Sequence, residues 1–185
     1  MGSEWMNQII LESERLILRP WENEDVNDLQ EGLNNLEVSK WLAFVPYPYT
    51  TDYARAFINF AQNTNDYEFA IVLKEESKVI GGTSLSNISN IHKTAGGGIW
   101  ISQKYWGKGY GQEAFGKRIE FAFECLNLRK LENGYFEGNE KSFRMQEHFG
   151  YKKEGISRKK FVCMATGKIE DECLTGLLKE EWIRK

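Results

Sequence analysis

Hydrophobic residues along this chain follow two spacings, one typical of strands and one typical of helices. Runs rich in Ile, Val, Leu and aromatic residues predict strands at residues 15–19, 67–73, 78–85, 99–101, 129–136, 159–165 and 172–178. Hydrophobic residues at intervals of three and four predict helices at residues 22–36, 51–61, 115–126 and 139–149. This order of elements predicts an α+β fold with a mostly antiparallel sheet.

Single residues indicate where the helices begin, and the uninterrupted pattern indicates the domain limits. Asn23, Thr51 and Asn139 precede helical stripes and are residue types that commonly cap helix N-termini. Because neither an internal repeat nor a linker interrupts the pattern, we expect one domain at residues 9–185, preceded by a disordered tail at residues 1–8.

A glycine-rich turn separates the strand at residues 99–101 from the strongest helical stripe. Gly107, Gly109 and Gly111 occupy alternate positions, and glycine adopts positive φ without steric cost. Such a turn lets several backbone N–H groups point one way, and the following helix N-terminus adds its free N–H groups. We therefore expect a phosphate site here, with a turn that merely reverses the chain as the alternative.

Two other phosphate-binding motifs match these residues poorly. The dinucleotide fingerprint G-x-G-x-x-G fails because Gln112 occupies the third glycine position. The P-loop pattern fits from Gly111 to Lys117, but Arg118 replaces the hydroxyl residue that binds magnesium. The Gly116-Lys117 pair also falls inside the helical stripe. A nucleotide-binding P-loop protein is therefore a disfavoured alternative.

Composition and charge exclude several classes of protein. The net charge is −3, from 24 basic and 27 acidic residues, whereas nucleic-acid binders ordinarily carry a basic excess. No apolar run approaches the ~20 residues that a membrane helix needs. The three cysteines form no C-x-x-C pair, and only two histidines are present, so we expect no disulfide framework and no metal site. We expect a cytoplasmic protein that binds neither nucleic acid nor membranes.

Four segments, taken together and in this order, resemble the GCN5-related N-acetyltransferase (GNAT) superfamily, and most closely its RimJ/RimL-type branch of ribosomal-protein N-acetyltransferases. They are residues 16–20, the glycine turn at residues 105–114, the Asn139–Ser142 motif with residues 149–155, and residues 167–171 with 177–182. The resemblance covers nearly the whole chain. It implies a single GNAT-type domain of the α+β class, whose mixed, mostly antiparallel central sheet is splayed in the middle and flanked by helices.

The resemblance also implies an activity and a co-substrate. The enzyme would transfer the acetyl group of acetyl-CoA to a primary amine by direct attack in a ternary complex. The acceptor amine would be a ribosomal-protein N-terminus or a small molecule, and we expect a homodimer, which is common in the family. The pantetheine arm would enter the splayed gap like an added strand, with backbone contacts at Trp100, Ile101 and Ser102. The pyrophosphate would lie over Gly107, Lys108, Gly109, Tyr110, Gly111 and Gln112.

Direct attack requires a neutral amine, donors for the developing oxyanion and a proton for the departing thiolate. By resemblance, Ser142 would supply that proton. Asn139 would cap the helix and hydrogen-bond the cofactor arm or a water near the thioester. Backbone N–H groups around Ile101 would receive the oxyanion. Cys125 lacks a neighbouring base, so we expect a half-buried, inert thiol rather than a nucleophile.

The general base is the point at which the chain departs from the family. Many relatives have a glutamate three residues before the position of Ile99, where this chain has Gly96 within a Gly-Gly-Gly run. Glu68, our candidate, or its neighbour Asp66 could replace that glutamate directly or through water, and a water chain without a strong base is a third possibility. The missing glutamate also leaves a non-catalytic acyl-CoA-binding module as the alternative function.

Overall fold

The computed structural model describes residues 9–184, so the predicted tail at residues 1–8 lies outside the described residues. Its strands are β1 (Leu11–Glu12), β2 (Leu16–Pro20), β3 (Tyr67–Leu73), β4 (Lys78–Ser89), β5 (Thr94–Gly96), β6 (Ile99–Ile101), β7 (Lys130–Phe136), β8 (Lys152–Val162) and β9 (Ile169–Leu178). Its α-helices are α1 (Val26–Leu33), α2 (Leu36–Ser39), α3 (Thr51–Asn63), α4 (Tyr110–Glu120) and α5 (Glu140–His148). Among these residues, no helix is long and apolar enough to cross a membrane.

One mixed sheet organises the molecule, in the order β1-β2-β3-β4-β5-β7-β9-β8, with β6 paired to β4. The β5–β7 pair is parallel, and the other pairs are antiparallel. The α+β class and the mixed, mostly antiparallel sheet are therefore confirmed.

The sheet opens in its middle. Thr94 and Ala95 of β5 pair with Lys130 and Leu131 of β7, whereas β6 pairs with β4. Strand β7 instead continues along β9 as far as Phe136. Beyond Ala95 the strands β6 and β7 therefore diverge and leave a gap, which is the predicted splay.

Alternation along β3 divides the core between the two faces of the sheet. Phe69 and Ile71 point to the face that α4 covers, in one buried cluster. Ala70 and Val72 point to the face that α1 and α3 cover, in a second cluster. Glu68 lies two residues before Ala70 on the same strand, so its side chain points to the same face, the one that α1 and α3 cover.

The helix predicted over residues 22–36 is wrong in its extent, and Asn23 is not its cap. A 3₁₀ turn at Asn23–Asp25 precedes α1, and Glu22 occupies its N-cap position. Asp25 is held by two hydrogen bonds from the Arg19 guanidinium, both 2.8 Å. Helix α1 ends at Leu33, where Asn34 leaves helical geometry and its side chain accepts the backbone N–H of Tyr49 at 3.0 Å.

Three smaller predictions also need correction. Thr50 rather than Thr51 caps α3, since its hydroxyl accepts the N–H of Tyr53 at 3.3 Å. The strand predicted at residues 159–165 begins and ends earlier, because β8 runs from Lys152 to Val162. Cys125 is exposed rather than half-buried; a π-helical turn at Phe121–Cys125 ends the helix there.

Candidate functional site

The predicted phosphate site is formed by the glycine turn and the first turn of α4. Gly107 and Gly109 have φ values of 76° and 82°, a region that favours glycine. The bond from Glu113 N to Gly109 O, 3.1 Å long, spans the first turn of α4. The N–H groups of Tyr110, Gly111 and Gln112 precede it and have no partner within the helix. A helix N-terminus with free N–H groups and positive dipole fits a phosphate.

A carboxylate inside α4 fixes this turn to the segment between β1 and β2. Glu113 accepts hydrogen bonds from Ser13 Oγ, Arg15 N and Arg15 Nε, each 2.7 Å. Arg15 also donates from Nη1 to Lys108 O at 2.9 Å. Burial acts to raise the pKa of Glu113, but these hydrogen bonds outweigh it and lower the pKa. Glu113 therefore stays ionised, and the turn is held in place before any phosphate binds.

The free edge of β6 faces the splayed gap. Ser84 N donates to Gly98 O at 3.0 Å, and Ser102 N donates to Ile80 O at 2.8 Å. Because hydrogen-bonding directions alternate along a strand, Trp100 also faces β4, while the backbone groups of Ile99 and Ile101 face the gap.

This geometry corrects the backbone contacts expected from Trp100 and Ser102. The C=O of Ser102 also has a partner, the N–H of Tyr105 at 2.9 Å. Neither residue therefore offers free backbone groups to an added strand. Ile101 does so, together with Ile99, which the sequence interpretation missed.

Trp106 links the glycine turn to the gap. Its indole Nε1 donates to Ile101 O at 2.7 Å, and Lys141 Nζ lies 5.1 Å from the centre of its ring. Lys141 lies in the first turn of α5, so the start of α5 lies beside the end of β6. The free N–H of Ile101 is the group left for an incoming amide, since its carbonyl is engaged by Trp106.

Asn139 and Ser142 lie at the N-terminus of α5. The Asn139 side chain accepts the backbone N–H of Ser142 at 3.3 Å, so the predicted cap is present. Ser142 Oγ accepts a hydrogen bond from Gln146 Nε2 at 3.1 Å. Gln146 in turn accepts from Thr175 Oγ1 at 2.5 Å. Because Ser142 Oγ acts as an acceptor here, its own O–H is free to donate elsewhere.

A cavity of about 460 Å³ opens on the α1 and α3 face of the sheet. Most of its lining side chains are aromatic or aliphatic, and several come from the loop at residues 41–49. Its polar lining includes Glu68, Thr83, Ser84 and Glu172, and Gly98, Ile99 and Trp100 of the central strands also contribute. Glu68 thus lies in the same cavity as Ile99, whereas Asn139 and Ser142 are not among the residues that line it.

Glu68 is a carboxylate of this cavity whose proton affinity is strongly raised. Burial raises its pKa to about 7, and the negative charge of Asp66 adds to the rise. Asp66 does not line the cavity, so of the two carboxylates proposed as bases only Glu68 does. Gly96 pairs with Ser86 on β4 and leaves the usual base position without a side chain.

Sequence comparisons place these features in a known family. The family of the Acetyltransferase (GNAT) domain matches residues 15–152. An uncharacterized N-acetyltransferase, p20, from Bacillus licheniformis is 31% identical, over 93% of this chain and 97% of that protein. YdaF from Bacillus subtilis, which carries a provisional assignment as a ribosomal N-acetyltransferase, is 30% identical, over 92% of this chain and 94% of its own length. The similarity to YdaF supports the RimJ/RimL-type branch.

Solved structures agree with this placement. A GNAT-family acetyltransferase from Bacillus anthracis superposes with a TM-score of 0.81 at 25% identity, over 94% of this chain and 100% of that one. The spermidine N-acetyltransferase of Vibrio cholerae, solved with CoA and spermine, gives a TM-score of 0.78 at 23% identity, over 91% of this chain and 98% of its own. The latter shows that a protein of this fold binds CoA. The splayed sheet, the glycine turn and the family match together establish that this chain belongs to the GNAT family of acyl-CoA-dependent acetyltransferases.

Proposed function

We propose that this enzyme transfers the acetyl group of acetyl-CoA to a primary amine that enters the aromatic cavity. The observation that carries the proposal is that Glu68 and the free edge of β6 at Ile99 line one cavity. A base and an N–H donor facing the same space suit the attack of an amine on a thioester. Glu68, Ser142 and Asn139 remain our proposed catalytic residues.

The co-substrate would be held by backbone groups. The N–H groups of residues 107–112 and the first turn of α4 provide the pyrophosphate site. The N–H of Ile101, on the free edge of β6, receives the pantetheine arm, as in strand addition, and the N–H of Ile99 is left for the thioester oxygen. Open space at Gly107, where an added Cβ would meet no atom within 4 Å, leaves room for the phosphates.

The reaction proceeds by direct attack in a ternary complex. The amine nitrogen forms a bond to the acyl carbon as Glu68 accepts its proton, and the C–S bond then breaks. The thiolate takes a proton from Ser142, and water carries the proton held by Glu68 back to Ser142, which restores both groups. Glu68 is suited to this task because its pKa of about 7 lies near neutral pH, where a general base is most effective.

The chemistry of the cavity favours a cationic acceptor with an apolar body. The charged side chains among its lining residues are those of Glu68 and Glu172. Glu172 lies on the far side of the gap, on β9, and pairs with Lys160 at 2.5 Å. Aromatic walls and carboxylates attract ammonium groups. A small amine and a protein N-terminus both satisfy this description, and the ribosomal-protein acceptor rests on branch similarity alone.

An amine panel tests this function. We expect acetyl-CoA to release thiol in the presence of small polyamines or of peptides with free N-termini, with acetylated products identified by mass spectrometry. N-terminally blocked peptides that lack lysine are the matched negative controls. Binding of acetyl-CoA without acetylation of any amine would contradict the proposal and support a non-catalytic acyl-CoA-binding module. The cytoplasmic location and the homodimer stay predictions.

Replacing Ser142 with alanine tests the proposed acid. We expect kcat to fall by about tenfold or more, because the thiolate loses its proton donor, while the KM for acetyl-CoA changes by about twofold or less. The helix cap should survive, since the Asn139 side chain accepts its hydrogen bond from the backbone N–H of residue 142. Asn139→Ala should lose the cap and about 1 kcal/mol of stability, so an unchanged stability of Ser142→Ala separates loss of the acid from loss of the cap. An unchanged kcat in Ser142→Ala would leave this serine a purely structural role.

A further inference from the structure

The carbonyl oxygen of Gly98 accepts an unusual number of hydrogen bonds. It receives Ser84 N at 3.0 Å, Thr83 Oγ1 at 2.9 Å and Arg118 Nη1 at 3.2 Å. A carbonyl oxygen has two lone pairs and usually serves one or two donors. The peptide group that joins Gly98 to Ile99 is therefore strongly polarised.

One of these donors is a fully buried cation. Arg118 on α4 has 0% exposure, and within residues 9–184 no carboxylate forms an ion pair with it. Its Nη1 also donates to Ser84 O at 3.0 Å, and its Cζ lies 4.3 Å from the centre of the Phe115 ring. Burying a guanidinium without a carboxylate costs several kcal/mol. Apart from its interaction with the Tyr151 hydroxyl, its charge therefore acts on neighbouring backbone dipoles.

Gly97 lies against both this cation and β4. Its φ is 149°, and an added Cβ would lie 2.0 Å from Ser84 O and 2.9 Å from Arg118 Nη1. Position 97 therefore requires glycine, chiefly because the backbone of β4 passes so close.

The polarised peptide has its other end in the gap. In a trans peptide the C=O and the N–H point in opposite directions. The C=O of Gly98 points to β4, so the N–H of Ile99 points away from β4 and into the gap between β6 and β7. Ile99 lines the cavity that contains Glu68.

We propose that Arg118 is a positioning residue that strengthens the Ile99 N–H as the donor to the oxyanion of the reaction. Withdrawing electron density from the Gly98 carbonyl makes the N–H of the same peptide a better donor, as in any chain of cooperative hydrogen bonds. Thr83 acts in the same way on the same oxygen. This inference rests on the proposed function, because it requires a thioester carbonyl at Ile99.

The carbonyl stretching frequency of bound acetyl-CoA, labelled with ¹³C at the thioester, tests the inference without an acceptor amine. In the unmodified protein we expect a shift to lower frequency relative to free acetyl-CoA. Arg118→Met and Thr83→Val should each reverse part of that shift. In Arg118→Met, kcat should fall by about tenfold, less than when a whole oxyanion donor is lost, with the KM for acetyl-CoA changed by about twofold or less. Arg118→Lys should restore part of the frequency shift and part of kcat.

Lys117→Met is the matched control, because it removes a cation from the neighbouring position of α4, where Lys117 pairs with Glu120 at 3.1 Å. Its frequency and kcat should equal those of the unmodified protein. A folded Arg118→Met with an unmodified frequency and kcat would overturn the inference. Should that variant not fold, Thr83→Val decides the question on the same oxygen. A protein that shows the shift but acetylates no amine would contradict the proposed function and leave the role of Arg118 supported.

Discussion

Replacing Glu68 with glutamine is expected to lower kcat by about 100-fold, because the amine loses its general base while the cavity keeps its shape. In the unmodified enzyme, kcat should rise with pH up to about 7 and then level off, since the pKa of Glu68 is about 7 and only the ionised form accepts a proton. The glutamine variant should lack this rise. Initial rates at saturating acetyl-CoA and amine, measured from pH 5 to pH 9, give the comparison.

The same substitution should stabilise the folded protein at high pH. The pKa of Glu68 is raised from 4.5 to about 7 by folding, so the folded state binds this proton more tightly than the unfolded state does. Its contribution to stability is therefore full below pH 4.5 and is lost as pH rises through 7. As the pH rises from 5 to 8, the unfolding free energy of Glu68→Gln should therefore increase relative to that of the unmodified protein by roughly 1–3 kcal/mol.

Asp66→Asn is the matched control for Glu68. It removes the neighbouring negative charge but leaves the cavity lining intact, so the rise in kcat should move to lower pH while the plateau changes little. A Glu68→Gln variant that keeps both the kcat and the pH profile of the unmodified enzyme would show that another group, or a chain of waters, accepts the proton.

The parts of the site that the sequence predicted are those that depend on local backbone geometry. The backbone at positions 107 and 109 has positive φ, which favours glycine. Asn139 caps the helix that begins directly after it. Such requirements act over a few residues, so a single sequence reveals them. The cap of α3 was misplaced by one residue because Thr50 and Thr51 offer the same chemistry.

The parts that the sequence left open depend on contacts between distant segments. Glu68 was our candidate and Asp66 its alternative, and of the two only Glu68 lines the cavity. Arg118 went unnoticed as a functional residue, because its partners Ser84 and Gly98 are 34 and 20 residues away. A signal was present, since a charged residue directly precedes Ile119 of the buried stripe, but only the fold shows what the charge contacts.

The choice between backbone groups on β6 also needed the structure. Sequence alone indicates a strand at residues 99–101 but not which residues direct their N–H groups toward the gap. A shift of one residue reverses that direction. The bonds at Gly98 and Ser102 fix the register and assign the free edge to Ile99 and Ile101. The proposed oxyanion donor and the proposed strand-addition contacts both depend on this register.

Replacing Gly109 with aspartate is expected to weaken acetyl-CoA binding by about 2–4 kcal/mol, which is roughly 30- to 1,000-fold. Gly109 is the N-cap of α4, with a φ of 82°. A carboxylate there would stand in front of the free N–H groups that are proposed to hold the pyrophosphate. It would repel the phosphates and accept the same N–H groups. Isothermal titration calorimetry with acetyl-CoA measures the loss.

Gly109→Asn separates charge from shape. Asparagine and aspartate have nearly the same size, both cap helices, and both tolerate positive φ better than most residues. An added Cβ would lie 3.3 Å from Arg15 Nη2 in either variant, so both should fold alike. We expect the asparagine variant to retain acetyl-CoA affinity within about tenfold, because it lacks the repulsive charge. Equal losses in the two variants would assign the effect to backbone strain, and equal retention would mean that the pyrophosphate binds elsewhere.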